Sequence, residues 1–172
     1  MMNTLATETP NRAPPAAAEL DLAVDTRAQQ RMLLRVGALG LLVPWDGGRE
    51  VAPVPPTSRV PNTPAWLRGL ANVRGGLVPV VDVAAAFGLA RASARTDYLL
   101  ICGQGETAIG LLIDGLPRAF DVDAAAPLAE DAPLPAALAA CVRARYRHAD
   151  GVVLDMDLPS LFDALGQQLA RT

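Results

Sequence analysis

The chain has 172 residues, a formal net charge of -3, and 15 basic residues that are all arginine. Without lysine there is no phosphate-binding P-loop, no strand lysine of a protein kinase and no Schiff-base amine. Mild acidity argues against a nucleic-acid partner and a polybasic membrane patch, and no apolar run approaches the roughly 18 residues that would insert in a membrane.

Cys102 and Cys141 stand apart with no CxxC spacing, which reads as two reduced, buried thiols of a cytosolic protein. Met1–Pro15 is polar and rich in proline and alanine, without the apolar segment of a signal peptide. Residues 1–30 are expected to be a mobile tail. Pro10, Pro14 and Pro15 break any long helix there, and Glu19–Gln30 is expected to form a short one, with Leu20, Val24 and Ala28 on one face.

From Arg31 the chain turns to short apolar bursts cut by turn residues. Met32–Val36 and Leu39–Val43 read as a hairpin around Gly37, and Glu50–Val54 as a third strand. Pro53, Pro55, Pro56, Pro61 and Pro64 punctuate an extended connection, and Pro64–Arg68 suggests one helical turn. Leu70–Val73 and Leu77–Val81 form a hairpin around Arg74-Gly75-Gly76, with Pro79 expected at a sheet edge or a bulge. Asp82 is expected to cap a short helix, Val83–Phe87, that stops at Gly88. Tyr98–Cys102 and Thr107–Ile113 flank a glycine turn, and Leu116–Val122 is a further strand. The Ala/Pro segment 124–135 reads as a loop and Leu134–Ala140 as a helical turn. Val142–Tyr146 and Val152–Leu154 pair around Asp150-Gly151. Leu158–Leu169 closes as an amphipathic helix with Leu158, Leu161, Phe162, Leu165 and Leu169 on one stripe.

About nine or ten short strands at this spacing indicate an all-β fold with short helices. Strands apolar on consecutive residues, such as Leu99–Cys102 and Leu111–Ile113, demand burial on both faces. Two small barrels sharing a hydrophobic core supply it. No sequence repeat is evident.

Few residues carry chemistry. Gly103-x-Gly105-x-x-Ala108 with Asp123 about twenty residues on has the spacing of a dinucleotide fingerprint. A hairpin turn explains the same glycines, because Gly115 and Pro117 follow too soon for a crossover helix. His148 is the only histidine and reads as a hairpin-surface residue, which makes a poor metal site. Ser58, Ser93 and Ser160 sit in no nucleophile elbow. Asp155 and Asp157 are either a carboxylate pair on one strand face or, for Asp157, the cap of the last helix. Trp45 and Trp66 suit either a core or an interface. Arg68 and Arg74 are either loop staples or binding groups that hold a carboxylate with fixed geometry. No catalytic residue, metal site or cofactor is expected.

Pro61-Asn-Thr-Pro-Ala-Trp-Leu-Arg-Gly-Leu-Ala-Asn-Val-Arg-Gly-Gly-Leu-Val-Pro-Val-Val-Asp82 resembles the signature of CheW-like domains, and Ile109-Gly-Leu-Leu-Ile-Asp-Gly-Leu116 resembles the family's second motif. The resemblance covers residues 31–166, within an expected domain of 31–169. It implies two five-stranded SH3-like barrels around a common core. It also implies a non-catalytic, cytoplasmic adaptor at membrane-associated receptor arrays. Its partners would be the cytoplasmic tip of a methyl-accepting chemoreceptor and the regulatory domain of a CheA-like histidine kinase. Carried over by position, the binding residues are Glu50 and Arg74, framed by Gly69, Asn72 and Gly75. A receptor groove between the barrels would use Tyr98, Gly110, Leu116 and Ala119. Val73 departs from the family's usual leucine. The Leu70–Gly75 wording and the Ala-rich 124–141 stretch look more like PilI, the twitching-motility branch. A small nucleotide-binding protein using Gly103 and Gly105, and a purely structural barrel oligomer, are the competing readings.

Overall fold

The computed structural model describes residues 30–48, 50–90, 98–129, 133–149 and 151–171. The expected tail, and all but the last residue of its helix, lie outside them. Two six-stranded sheets organise the rest. In spatial order the first holds β10 (Ala126–Pro127), β11 (Val142–His148), β12 (Gly151–Met156), β2 (Leu39–Pro44), β1 (Gln30–Val36) and β9 (Arg118–Asp121). The second holds β4 (Thr57–Ser58), β5 (Leu67–Val73), β6 (Gly76–Val81), β8 (Ile109–Ile113), β7 (Tyr98–Cys102) and β3 (Glu50–Pro53). Neighbours pair antiparallel except β2 with β12 and β6 with β8, which are parallel.

The period of two along a strand explains where the core sits. Leu33, Leu42, Val153 and Phe120 point into the first barrel. Ala71, Val80, Leu99, Ile101 and Leu112 point into the second. The alternate residues Met32, Leu34, Leu41, Val43, Val81, Leu100, Leu111, Ile113, Leu154 and Met156 face the other way and form one core between the barrels. Strands apolar on both faces are therefore sandwiched between a barrel interior and this shared core. The fold class expected from the sequence is what is found, with each barrel carrying a sixth strand of two residues.

Among the described residues the α-helices are α1 (Val83–Ala86), α2 (Ala136–Ala139) and the longer α3 (Leu158–Ala170). Asp82 caps α1 by accepting from the Ala85 amide at 3.0 Å, and Asp157 caps α3 by accepting from the Ser160 amide at 3.1 Å. The α3 stripe buries Leu158, Leu161 and Leu165 but leaves Leu169 exposed, one turn past the core.

Local expectations differ in four places. Pro64–Arg68 is not helical: the Leu67 amide closes one turn on the Pro64 carbonyl at 3.0 Å, and Leu67 already belongs to β5. Strand β6 is interior to its sheet. Pro79 is tolerated because the β6–β8 pairing begins only at Val80, so no ladder amide is lost there. Gly105–Thr107 forms a 3₁₀ turn before β8. The 124–135 stretch contributes β10, which pairs Ala126 with Arg147.

Candidate functional site

The β5–β6 turn has two central residues, Arg74 (φ 51°) and Gly75 (φ 84°), both left-handed. Two positive φ values match the twist of a tight hairpin, a geometry that favours Asn-Gly and is strained for arginine. The Gly75 amide donates to Asn72 Oδ1 at 2.9 Å, which fixes the turn. The Arg74 side chain is 80% exposed and reaches Glu50 Oε1 on the opposite edge strand β3 at 3.0 Å. This ion pair crosses the mouth of the second barrel. Leu77, 68% exposed, stands beside it. A surface pair of this kind contributes at most about 1 kcal/mol. Gly69 serves the same hairpin from behind: a Cβ there would sit 2.2 Å from the Ser58 carbonyl oxygen of β4.

The other expected binding residues lie elsewhere. Tyr98 opens β7 opposite Pro53, three pairs along from the Glu50–Ile101 pair, and packs against the shared core. Ala119 is exposed on edge strand β9 opposite Met32. Cross-strand partners share a face, so Ala119 extends the shared-core side outward at the seam between the barrels. Leu116, 63% exposed, lies in the β8–β9 connection at that seam. Gly110 is not a surface residue. It is buried, and a Cβ there would sit 2.8 Å from Leu99 Cδ1 inside the second barrel, so its role is to make room for packing.

The seam also holds Trp45, which is 53% exposed. The turn after it is clamped: a Cβ on Gly47 would sit 2.5 Å from Leu158 Cδ1, and one on Gly48 would sit 2.7 Å from Leu100 Cδ1. Trp66, by contrast, packs on the shared core, and its carbonyl accepts from the Asp82 amide at 2.8 Å. The barrels are tied together nearby, where Asp114 Oδ2 accepts from the Gly37 amide at 2.6 Å.

Residues with possible chemistry are absorbed by structure. Gly103 and Gly105 turn strand into strand, leaving no helix N-terminus for a pyrophosphate. His148 is half-buried rather than on the hairpin surface, its ring 5.5 Å from that of Phe120. Asp155 pairs with Arg31 at 3.3 Å at the end of the first barrel, while Asp157 caps α3 and pairs with Arg143, so the two carboxylates do not act together. Arg68 is exposed on β5. Burial pushes the Cys102 thiol up to about 12, and burial with the nearby Asp157 raises Cys141. Neither is a nucleophile at neutral pH. Among the described residues no three His, Cys, Asp or Glu side chains converge to hold a metal, and no helix is long and apolar enough to cross a membrane.

Residues 30–166 match the family model of the CheW-like domain. The chain belongs to the CheW-like family. Among CheW relatives it is 28% identical over 89 residues to a probable chemotaxis protein CheW of Rhizobium etli, covering 51% of this chain and 57% of that one. It is 29% identical to chemotaxis protein CheW of Rhizobium meliloti over the same shares. The chain thus spans 57% of the length of these two relatives. The crystal structure of the scaffolding protein TtCheW from Thermoanaerobacter tengcongensis superposes with a TM-score of 0.60 over 89% of this chain and 91% of that one, at 17% identity. That likeness bears on the fold alone. Trp45, whose residue type suits either a core or an interface, lies outside both quoted CheW motifs, and its exposure puts it on the surface.

Proposed function

We propose that this chain is a non-catalytic adaptor of a chemotaxis-type pathway. It couples the cytoplasmic tip of a methyl-accepting chemoreceptor to the regulatory domain of a CheA-like histidine kinase, in the cytoplasm at receptor arrays. Membership of the CheW-like family supports a scaffold role. The observation that carries the reading is Arg74. An arginine occupies a turn position that glycine or asparagine would fill with less strain, and it points its guanidinium outward with one surface carboxylate as partner. Such a residue is held for what it contacts.

Docking on this reading is bivalent. The seam of Trp45, Tyr98, Leu116 and Ala119 takes the receptor's helical hairpin, and the barrel mouth of Glu50, Asn72, Arg74, Gly75 and Leu77 meets the kinase. Gly69 shapes the second surface and Gly110 the barrel wall behind it. Each contact is weak alone, and linkage within an array supplies avidity.

Co-sedimentation with a receptor cytoplasmic fragment and a kinase at tens of micromolar tests the reading. Wild type is expected to bring down both, and binding to neither sinks it. Arg74→Asn is expected to hold stability within about 0.5 kcal/mol while losing the kinase. Loss of folding instead would make Arg74 a staple. Within the pathway, the Leu70–Gly75 wording and the Ala-rich 124–141 stretch favour the twitching-motility branch. A deletion strain that loses surface spreading but keeps swimming supports that assignment, and the reverse overturns it.

A further inference from the structure

From the end of β3 into β4 the chain reads Ala52-Pro53-Val54-Pro55-Pro56-Thr57. Proline fixes φ at about −65° and holds the residue before it in the extended region. Pro53, Pro55 and Pro56 therefore keep this stretch close to polyproline II, a left-handed helix of three residues per turn. Residues 54–56 belong to no strand. The Thr57 hydroxyl donates to the Pro55 carbonyl at 3.0 Å and pins the end of the segment. A repeat of three gives such a helix three edges. Val54 turns one edge inward, packed on the core of the second barrel. Pro53 and Pro56 are both exposed and share a second edge, roughly 9 Å apart. Ala52 and Pro55, half-buried, make the third. An edge strand often carries a proline to stop further pairing. That accounts for Pro53 but not for Pro56, which lies past the strand.

The ridge leads to a positive patch. Arg59 follows β4, and Arg68 lies on β5 next to Gly69, where a Cβ would sit 3.0 Å from Arg59 Cα. Both arginines are exposed, and neither has a hydrogen bond or ion pair among the described residues. In a chain of net charge -3, this is a place where acidic side chains of a partner find their match.

We propose that Ala52–Pro56 is a polyproline-II ligand for a partner domain whose aromatic-lined groove takes the Pro53 and Pro56 rings and whose acidic rim meets Arg59 and Arg68. Proline-rich segments dock on aromatic grooves because their helix is preformed and loses little entropy on binding. Here the second barrel holds the ridge in addition, through Val54, which lowers that cost further. The proposal is independent of the receptor and kinase contacts proposed above.

Titrating the full chain into an isotope-labelled SH3 domain with acidic residues beside its aromatic groove tests this by NMR. The groove resonances are expected to shift saturably at concentrations up to about 1 mM. Pro53→Ala with Pro56→Ala should weaken binding roughly tenfold. Arg59→Glu with Arg68→Glu should weaken it by a similar factor and flatten its salt dependence. Pro61→Ala, at an exposed proline outside the ridge, should leave binding unchanged. Melting curves check that each variant is folded. If the proline variant unfolds, the arginine variant, altered only at exposed side chains, decides the matter. No shift in the groove at about 1 mM, or binding indifferent to a folded double variant of either kind, would overturn the proposal.

Discussion

The two barrels follow one plan in different chain order. Going around each sheet, β10-β11-β12-β2-β1-β9 corresponds to β4-β5-β6-β8-β7-β3. Each is a three-strand meander joined by a parallel step to a hairpin, with a sixth strand outside. The match extends to residues. Met32-Leu33-Leu34 in β1 answers Tyr98-Leu99-Leu100 in β7, and Gly40-Leu41-Leu42 in β2 answers Gly110-Leu111-Leu112 in β8. Both glycines lie in the parallel pairing, opposite Val153 and Val80. Both make room for the inward leucine of the neighbouring strand, Leu33 or Leu99, 2.8 Å from where a Cβ would be. The interiors differ. The second is wholly aliphatic, whereas the first admits Phe120 and Tyr146 and is closed at one end by the Arg31–Asp155 pair. A shared frame thus holds one dry barrel and one polar-ended barrel.

The comparison can be broken first at the shared core. Leu34 and Leu100 are equivalent and essentially inaccessible, so truncating either to alanine is expected to cost about 2–5 kcal/mol. Because both line one core, calorimetry should still record a single transition. Two separate transitions in either variant would show that the barrels melt independently. Next in size, Asp155→Ala removes a carboxylate partner of Arg31 at the end of the first barrel and should cost roughly 2 kcal/mol in denaturant unfolding. The double change Arg31→Met with Asp155→Leu should recover most of it, because it makes the first barrel as apolar as the second. A double variant no better than the single one would mean the pair does more than fill its site.

Smaller again are the paired glycines. Gly40→Ala meets Leu33 and Val153 together, whereas the nearest atoms to a Cβ at Gly110 all belong to Leu99. Each should lose about 1–3 kcal/mol, with Gly40→Ala the worse, and the reverse order would show that the first barrel has more slack. The smallest effect is in acid. The Ser160 hydroxyl, then its amide, and Arg143 hold the Asp157 carboxyl below the usual carboxylate range. A carboxylate depressed in the folded state adds stability above its unfolded value, near pH 4, and that contribution fades as pH falls through the folded value. Melting temperature should therefore drop more steeply below about pH 4 in wild type than in Asp157→Asn. Parallel curves would remove Asp157 from the acid response.

Much of this frame was legible because buried strands announce themselves. Leu99–Cys102 and Leu111–Ile113 are apolar on every residue, which only burial on two sides satisfies. The two-residue strands β4 and β10 were hidden in proline and alanine stretches whose pattern has no period. The repeat was hidden for another reason. Its matched pieces are only three residues long, and they lie in different chain order. Candidate binding residues were legible as types but not as places. Arg74 and Glu50 meet as a pair, yet Tyr98, Leu116 and Ala119 belong to a separate seam, and Gly110 is buried because a missing side chain in a strand is as readily a packing device as a surface. Trp45 had no motif to mark it, and exposure is a property of the folded chain.

The different chain order bears on synthesis. Every strand of the second barrel lies between Glu50 and Ile113, so that barrel can assemble once an uninterrupted stretch has left the ribosome. The first barrel needs Gly40 beside Val153, and every strand of the second barrel lies between those two residues in the chain. Its leading hairpin must wait, covered on one face by the completed second barrel, until the last third of the chain arrives. The earlier barrel is thus the template on which the later one closes.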